Sequence, residues 1–373
     1  MVSSSKAERL RNARLTAVRN LLEFGEELNV DFVVAAGDNF ESNQVGRELL
    51  RETKAVLEDF PELPIYFIPG NHDPLMEDYA FNTEPLNSLG PNVHILTREQ
   101  PVEVPNTSVV LYPGICRKKK SSQSPLKWVP DREKDDRIRI GLAHGNWMQL
   151  PNLSKDDYPI GENAAEELDL DYLALGHWHS TFPDPVNSYG KRTFYSGTPE
   201  PTGFKENDSG NVLLVETDSS GELLKVEKHE VAQYSWIKKE FNLSDMVSVD
   251  GLRDDLKLTG YGEENTLLRL KPSGTVPLKV MEKFDELTEK LEGSFFYLDV
   301  RKEDFDLTPS EQEVEELTAG TGWLGDAVEH LEKLASGESL DPPEKWKMDD
   351  PPTKKEAQRA LEILYGRLQK EDL

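Results

Sequence analysis

The chain has 373 residues, with 70 Asp and Glu against 43 Lys and Arg, for a formal net charge of -27. That length points to two domains plus a tail, and the acidity weighs against a surface that coats nucleic acid by charge alone. The single Cys116 excludes an intrachain disulfide framework and fits a reducing cytoplasm, no apolar run approaches the roughly 18 residues of a membrane span, and no signal peptide opens the chain.

Residues 6–28 place Leu10, Ala13, Ala17, Leu21, Phe24 and Leu28 at spacings of three and four, the repeat of an amphipathic helix. Ser5-x-x-Glu8 ahead of it resembles a capping box. Residues 30–36 have the apolar, β-branched content of a buried parallel strand. A second helix is expected over 43–58 and a strand over 65–68. This alternation predicts a layered α/β domain. Both strands run into short polar stretches, Gly37-Asp38-Asn39-Phe40 and Gly70-Asn71-His72-Asp73. Taken alone, Asp38 would read as a turn or helix-capping aspartate.

Residues 74–107 are loop-rich, with short strands expected at 93–96 and 102–104; His94 in the first reads as structural. A strand over 108–112 precedes Arg117-Lys118-Lys119-Lys120, the one dense basic cluster of the chain, set in a Ser- and Pro-containing loop near Trp128. This cluster reads either as a phosphate-contacting loop or as a solvated one. Strands at 138–144 and 170–175 end in Ala143-His144-Gly145-Asn146 and Gly176-His177-Trp178-His179. Between them, 163–167 looks like a short helix that borders the cleft, and Trp147 either lines that cleft or packs in the core. Residues 193–195 form a strand ahead of Ser196-Gly197-Thr198-Pro199-Glu200. Residues 210–216 and 222–230 read as a hairpin around Asp218-Ser219-Ser220-Gly221, extending a second sheet, with His229 at the surface.

Near residue 232 the composition shifts. Residues 235–241 are strand-like and a short helix is expected at 244–257. A strand at 267–270, a helix at 277–291 with Pro277 in its first turn, and a strand at 295–300 make a βαβ unit, so 232–303 reads as a small second α/β domain. Residues 310–317 and 324–334 are helical candidates. Proline pairs at 341–343 and 349–352 mark an extended linker. A final amphipathic helix over 354–370 carries Ala357, Leu361, Leu364 and Leu368 on one stripe.

The polar stretches share one grammar: an apolar strand ends in a small residue or turn, then in Asp, Asn or His. In open α/β sheets ligands gather beyond the carboxyl ends of strands, so these side chains can converge. One carboxylate, one carboxamide and three imidazoles form a mixed N/O set suited to manganese, iron or zinc rather than magnesium. Two such ions about 3.5–4 Å apart can clamp a phosphodiester, and Asp38 is the candidate bridge. His72 can give a proton or hydrogen bond to the leaving oxygen, with Asp73 orienting it.

The set GD, GNHD, H, GHWH resembles the calcineurin-like metallophosphoesterases. The continuation from Tyr195 to Phe204 resembles the branch that contains the SbcD-type nucleases of DNA double-strand-break repair, and the likeness covers about residues 6–230. It implies a two-sheet metallophosphoesterase sandwich flanked by helices, Asp38 bridging two divalent ions, Asn71, His144 and His177 completing one, His179 serving the other, and a catalytic His72. It further implies manganese, a 3′-to-5′ exonuclease with endonuclease activity acting on DNA ends, and a dimer. Residues 232–303 would cap the site. The C-terminal helix would dock onto an SMC-like ATPase of the SbcC type.

One departure bears on activity. The family opens with a strand ending in Asp-x-His, which supplies the metal that His179 serves, and no such motif occurs here. The expectation is a truncated chain with its first strand upstream of Met1, one well-bound ion and weak activity. Two other readings stand beside the nuclease: a calcineurin-like phosphatase or small-molecule phosphodiesterase, and a catalytically inactive scaffold subunit.

Overall fold

The computed structural model describes residues 4–132, 136–151, 154–243, 263–276, 278–302, 304–307, 322–337 and 352–371. The chain divides into two compact units, Met1–Trp236 and Ile237–Leu373. The first opens on α1 (Ser4–Glu27), whose Ala13, Ala17 and Leu22 are buried. Ser5 is already inside the helix rather than ahead of it, and Leu28 is exposed. Then come β1 (Val33–Ala35), α2 (Arg47–Glu58), β2 (Ile65–Phe67) and β3 (Val93–Ile95). The three strands pair in parallel in the order β1-β2-β3. Leu22 of α1 and Val56 and Leu57 of α2 pack onto one face of this sheet, against Val33, Ile65 and Val93.

A second sheet follows the order β4 (Val102–Glu103), β5 (Val109–Pro113), β6 (Ile138–His144), β7 (Tyr172–Gly176), β8 (Thr193–Tyr195). It is parallel from β5 to β8, and only β4 runs antiparallel. Because side chains alternate across a strand, each strand feeds two cores. Leu111, Leu142 and Phe194 meet Tyr66, Val34 and Ile68 of the first sheet, while Tyr112, Ala143 and Tyr195 face the other way, onto Trp147 and α3 (Ala164–Glu167). The result is a two-sheet α/β sandwich with helices on its outer faces. Trp147 is 2% exposed and donates Nε1–H to the Glu162 carbonyl at 3.0 Å, so it is a core residue rather than a cleft wall. His94 stacks on Tyr66 with ring centroids 4.6 Å apart, a structural role.

The hairpin departs from expectation. β9 (Asn211–Thr217) and β10 (Leu223–Glu230) form a two-stranded antiparallel ribbon of their own instead of extending the second sheet. Leu213, Val215, Leu223 and Val226 supply the reason: they pack on the core between the two sheets. His229 is not a bare surface residue, since its ring lies 4.5 Å from that of Phe24 on α1.

In the second unit, β11 (Ser235–Asn242) pairs with β12 (Thr266–Val276), and β12 pairs in parallel with β13 (Tyr297–Val300) along its first half. The crossover helix is α4 (Leu278–Glu292). The second half of β12 pairs in parallel with β14 (Asp304–Leu307), which explains why the strand continues through Pro272 and Gly274 beyond the expected stop at residue 270. Leu268, Leu270, Phe284 and Leu291 form the core of this unit. Two helices follow, α5 (Gly322–Ser336) and α6 (Lys354–Glu371), and the α6 stripe of Leu361 and Leu364 packs against Val328 and Leu331 of α5. The helices expected at 244–257 and 310–317, Pro277, and the proline segments at 341–343 and 349–351 lie outside the described residues. No helix among the described residues is long and apolar enough to cross a membrane.

Candidate metal centre

The polar stretches sit at carboxyl ends of parallel strands of both sheets: Asp38 after β1, Asn71 to Asp73 after β2, His144 as the last residue of β6, His177 and His179 after β7. Turning there takes unusual backbone. Asp38 has φ 51° and His177 has φ 102°, a left-handed conformation disfavoured for residues with a Cβ and typical of strained functional positions. Gly70 is required by close approach, because a Cβ on it would collide with the Asp38 backbone nitrogen and carboxylate.

Four of the five expected ligands converge. His144 Nε2 lies 3.1 Å from Asp38 Oδ2, 2.9 Å from Asn71 Oδ1 and 3.3 Å from His177 Nδ1. The ligand atoms of Asp38, His144 and His177 all fall within 4.8 Å of one another. His144 is fully buried, and its Nδ1 lies 2.7 Å from the Ala36 carbonyl, a partner that can only accept. Nδ1 therefore carries the hydrogen, and in the neutral ring Nε2 presents a lone pair. Asn71 donates Nδ2–H to Asp157 Oδ1 at 3.1 Å, which turns its carbonyl oxygen inward. Acceptor atoms thus face one another with no donor between them, an arrangement that repels itself until a cation occupies the centre.

Electrostatics agree with that reading. Burial alone would raise the Asp38 carboxyl; with a proton on His144 Nε2 in place of a cation, the hydrogen bond and charge of that ring, with the N–H of His72, hold it below the ordinary carboxylate range. Burial and the neighbouring His144 lower His177, favouring the neutral ring a metal needs. Asp73 is fully buried and pushed up to about 6 by burial. It accepts from the backbone nitrogens of Gly70 at 2.7 Å, Asp38 at 3.1 Å and Asn39 at 3.0 Å, and from Asn39 Nδ2 at 3.0 Å. Its carboxylate ties the two ligand loops together. His72 takes its contact elsewhere, with Nδ1 3.3 Å from the Glu41 carbonyl, while its backbone N–H donates to Asp38 Oδ1 at 2.8 Å.

His179 stands apart from the four. Its side chain is 51% exposed, and Nδ1 lies 2.8 Å from Glu206 Oε1, a hydrogen bond that raises the imidazole. The Ser196–Glu200 stretch props this side: Thr198 N donates to the His179 carbonyl at 2.9 Å, and Thr202 N donates to Glu206 Oε2 at 2.7 Å. Arg117, Lys118, Lys119 and Lys120 are exposed. Their loop is fastened by Tyr158, whose hydroxyl accepts from the nitrogens of Arg117 and Lys118, each at 3.1 Å, and donates to the Lys118 carbonyl at 2.7 Å. Tyr158 is the neighbour of Asp157, so the basic loop is anchored next to a residue that touches two of the expected ligands, Asn71 and His177. Residues 11–181 match the family model of the calcineurin-like phosphoesterases.

That stretch is similar to a calcineurin-like phosphoesterase domain. The match spans every converging residue and His179, and it supports metal-dependent phosphoester hydrolysis. No curated protein matches the chain. Three residues that touch the candidate site escaped the sequence reading: Asp157, Glu206 and Glu41. Glu206 lies just past Phe204, where the fifth stretch could have been followed to its next carboxylate. Asp157 sits in the acidic loop Ser154-Lys155-Asp156-Asp157-Tyr158 and carries no local signal at all.

Proposed function

We propose that this chain is a manganese-dependent phosphodiesterase that acts on DNA ends as the nuclease subunit of a double-strand-break repair complex. The observation that carries the phosphodiesterase reading is the inward convergence of Asp38 Oδ2, Asn71 Oδ1 and His144 Nε2 at 2.9–3.1 Å with no donor among them. Asp38, Asn71, His144 and His177 would hold the first divalent ion, with Asp38 and His179 contributing to a second. An ion so held supplies Lewis acidity toward a phosphodiester oxygen and toward the attacking water. His72, half-exposed at the rim with Nδ1 committed to Glu41, keeps Nε2 for the leaving oxygen, to which its protonated form delivers a proton. The anchored Arg117–Lys120 loop offers cations to flanking phosphates, and Trp178, 39% exposed between the two histidines, offers a stacking face to an unpaired base. Trp323 on α5 and Ile363 on α6 remain exposed, apolar positions suited to docking an SMC-like ATPase.

The chain with manganese is expected to cleave both bis-p-nitrophenyl phosphate and linear duplex DNA. Cleavage of the small diester alone would leave a small-molecule phosphodiesterase, the reading that the net charge of -27 favours. Absence of both activities with a bound ion would leave the scaffold reading.

A further inference from the structure

Asp157 belongs to none of the ligand stretches, yet its two carboxylate oxygens reach two different ligands. Oδ1 accepts from Asn71 Nδ2 at 3.1 Å, and Oδ2 lies 3.5 Å from His177 Nε2. Each partner turns its opposite polar atom toward the centre: Asn71 Oδ1 is 2.9 Å and His177 Nδ1 3.3 Å from His144 Nε2. Both partners have a wrong orientation available. A carboxamide can flip to point its NH2 inward, and a neutral imidazole can carry its hydrogen on the inward nitrogen. Either error puts a donor where a cation needs a lone pair. A carboxylate behind them accepts only, so it selects the outward NH2 of Asn71 and the outward Nε2–H of His177 together.

The backbone that presents Asp157 is pinned on both sides. Asn146 N donates to the Asp157 carbonyl at 3.1 Å, Ser121 N to the Asp156 carbonyl at 2.9 Å, and Tyr158 N to the Ser121 carbonyl at 2.8 Å. Ser121 and Asp157 form a parallel bridge, and Tyr158 turns at φ 50°. We infer that Asp157 is a positioning residue that fixes the Asn71 flip and the His177 tautomer and thereby sets the affinity of the first metal position. This inference rests on the metal-centre reading above.

The test uses the whole chain and manganese alone, with binding measured by calorimetry for the wild type, Asp157→Ala and Asp157→Asn. Asp157→Asn keeps the shape but offers a single acceptor oxygen. The expected result is Kd weakened about 10- to 100-fold in both variants, the usual consequence of removing a carboxylate behind a ligand, with the near-UV circular dichroism of the metal-free protein unchanged. A second readout separates positioning from loss of a nearby charge: in an Asn71→Ala background, Asp157→Asn is expected to cost clearly less than in the wild type. A wild-type-like Kd for Asp157→Asn would overturn the inference, as would an undiminished loss in the Asn71→Ala background. Failure of the wild type itself to bind manganese would overturn the metal-centre reading, a distinguishable outcome.

Discussion

The two halves of the rim solve the same local problem differently. On one side, Asp38, Asn71, His144 and His177 bring acceptors together at 2.9–3.3 Å, and His144 is buried completely. On the other, His179 is 51% exposed and already holds a protein carboxylate, Glu206, at 2.8 Å. The first half gathers a carboxylate, a carboxamide oxygen and two imidazoles at one point, a set that fits a cation. The second is satisfied by an ion pair, so a cation arriving there adds less. What separates them is the number of strand ends that contribute: β1, β2, β6 and β7 all supply the first half, whereas the second has one histidine and whatever Asp38 shares.

The largest effect that follows is on the first half. Asp38→Ala is expected to abolish tight manganese binding and to lower turnover of bis-p-nitrophenyl phosphate by on the order of 10³-fold, since a metal supplies several kcal/mol of the barrier reduction. Calorimetry of the wild type should show one tight ion and a second at least about tenfold weaker; two equally tight ions would erase the contrast between the halves. His72→Ala comes next, with turnover lower by about 10²-fold or more and metal content retained. Metal lost along with turnover would make His72 a ligand rather than an acid.

Smaller effects sharpen the picture away from the ions. Changing Lys118, Lys119 and Lys120 together to Ala is expected to weaken DNA binding by about tenfold and flatten its salt dependence, leaving cleavage of the small diester near wild type. Glu200, which tethers the Ser196–Glu200 side through the nitrogens of Gln233 and Tyr234 at 2.7 and 3.0 Å, is pushed up to about 7 by burial. A carboxyl whose folded value is raised stabilises fully below the ordinary value of 4.5 and loses that contribution as pH rises through about 7. Thermal stability is therefore expected to fall across that window, and Glu200→Gln to flatten the fall.

Much of this was legible beforehand where the signal is local. The apolar runs that became β1, β2, β6 and β7 announced themselves by composition, and the residues that end them are the proposed ligands, because a parallel strand can deliver a side chain only where its ladder stops. The α4 crossover and the parallel β12–β13 pair were equally visible in periodicity. The ribbon of β9 and β10 was placed wrongly because hairpin chemistry specifies the turn but not the surface its apolar face will cover. Trp147 was ambiguous for a similar reason: its burial depends on Tyr195 and α3, which are distant in sequence.

The sequence by itself determined which side chains stand at the strand ends and what chemistry that set can perform, since strand-forming runs and the residues that stop them are near-neighbour properties. Only the tertiary structure decided how those side chains are held. Asp73 holds the loop of Asp38 and Asn39 from 35 and 34 residues away in the chain, and Asp157 meets Asn71 across a separation of 86. A carboxylate chosen by such a partner leaves no periodic or compositional trace, because its selection depends on where two sheets pack and not on its neighbours in sequence.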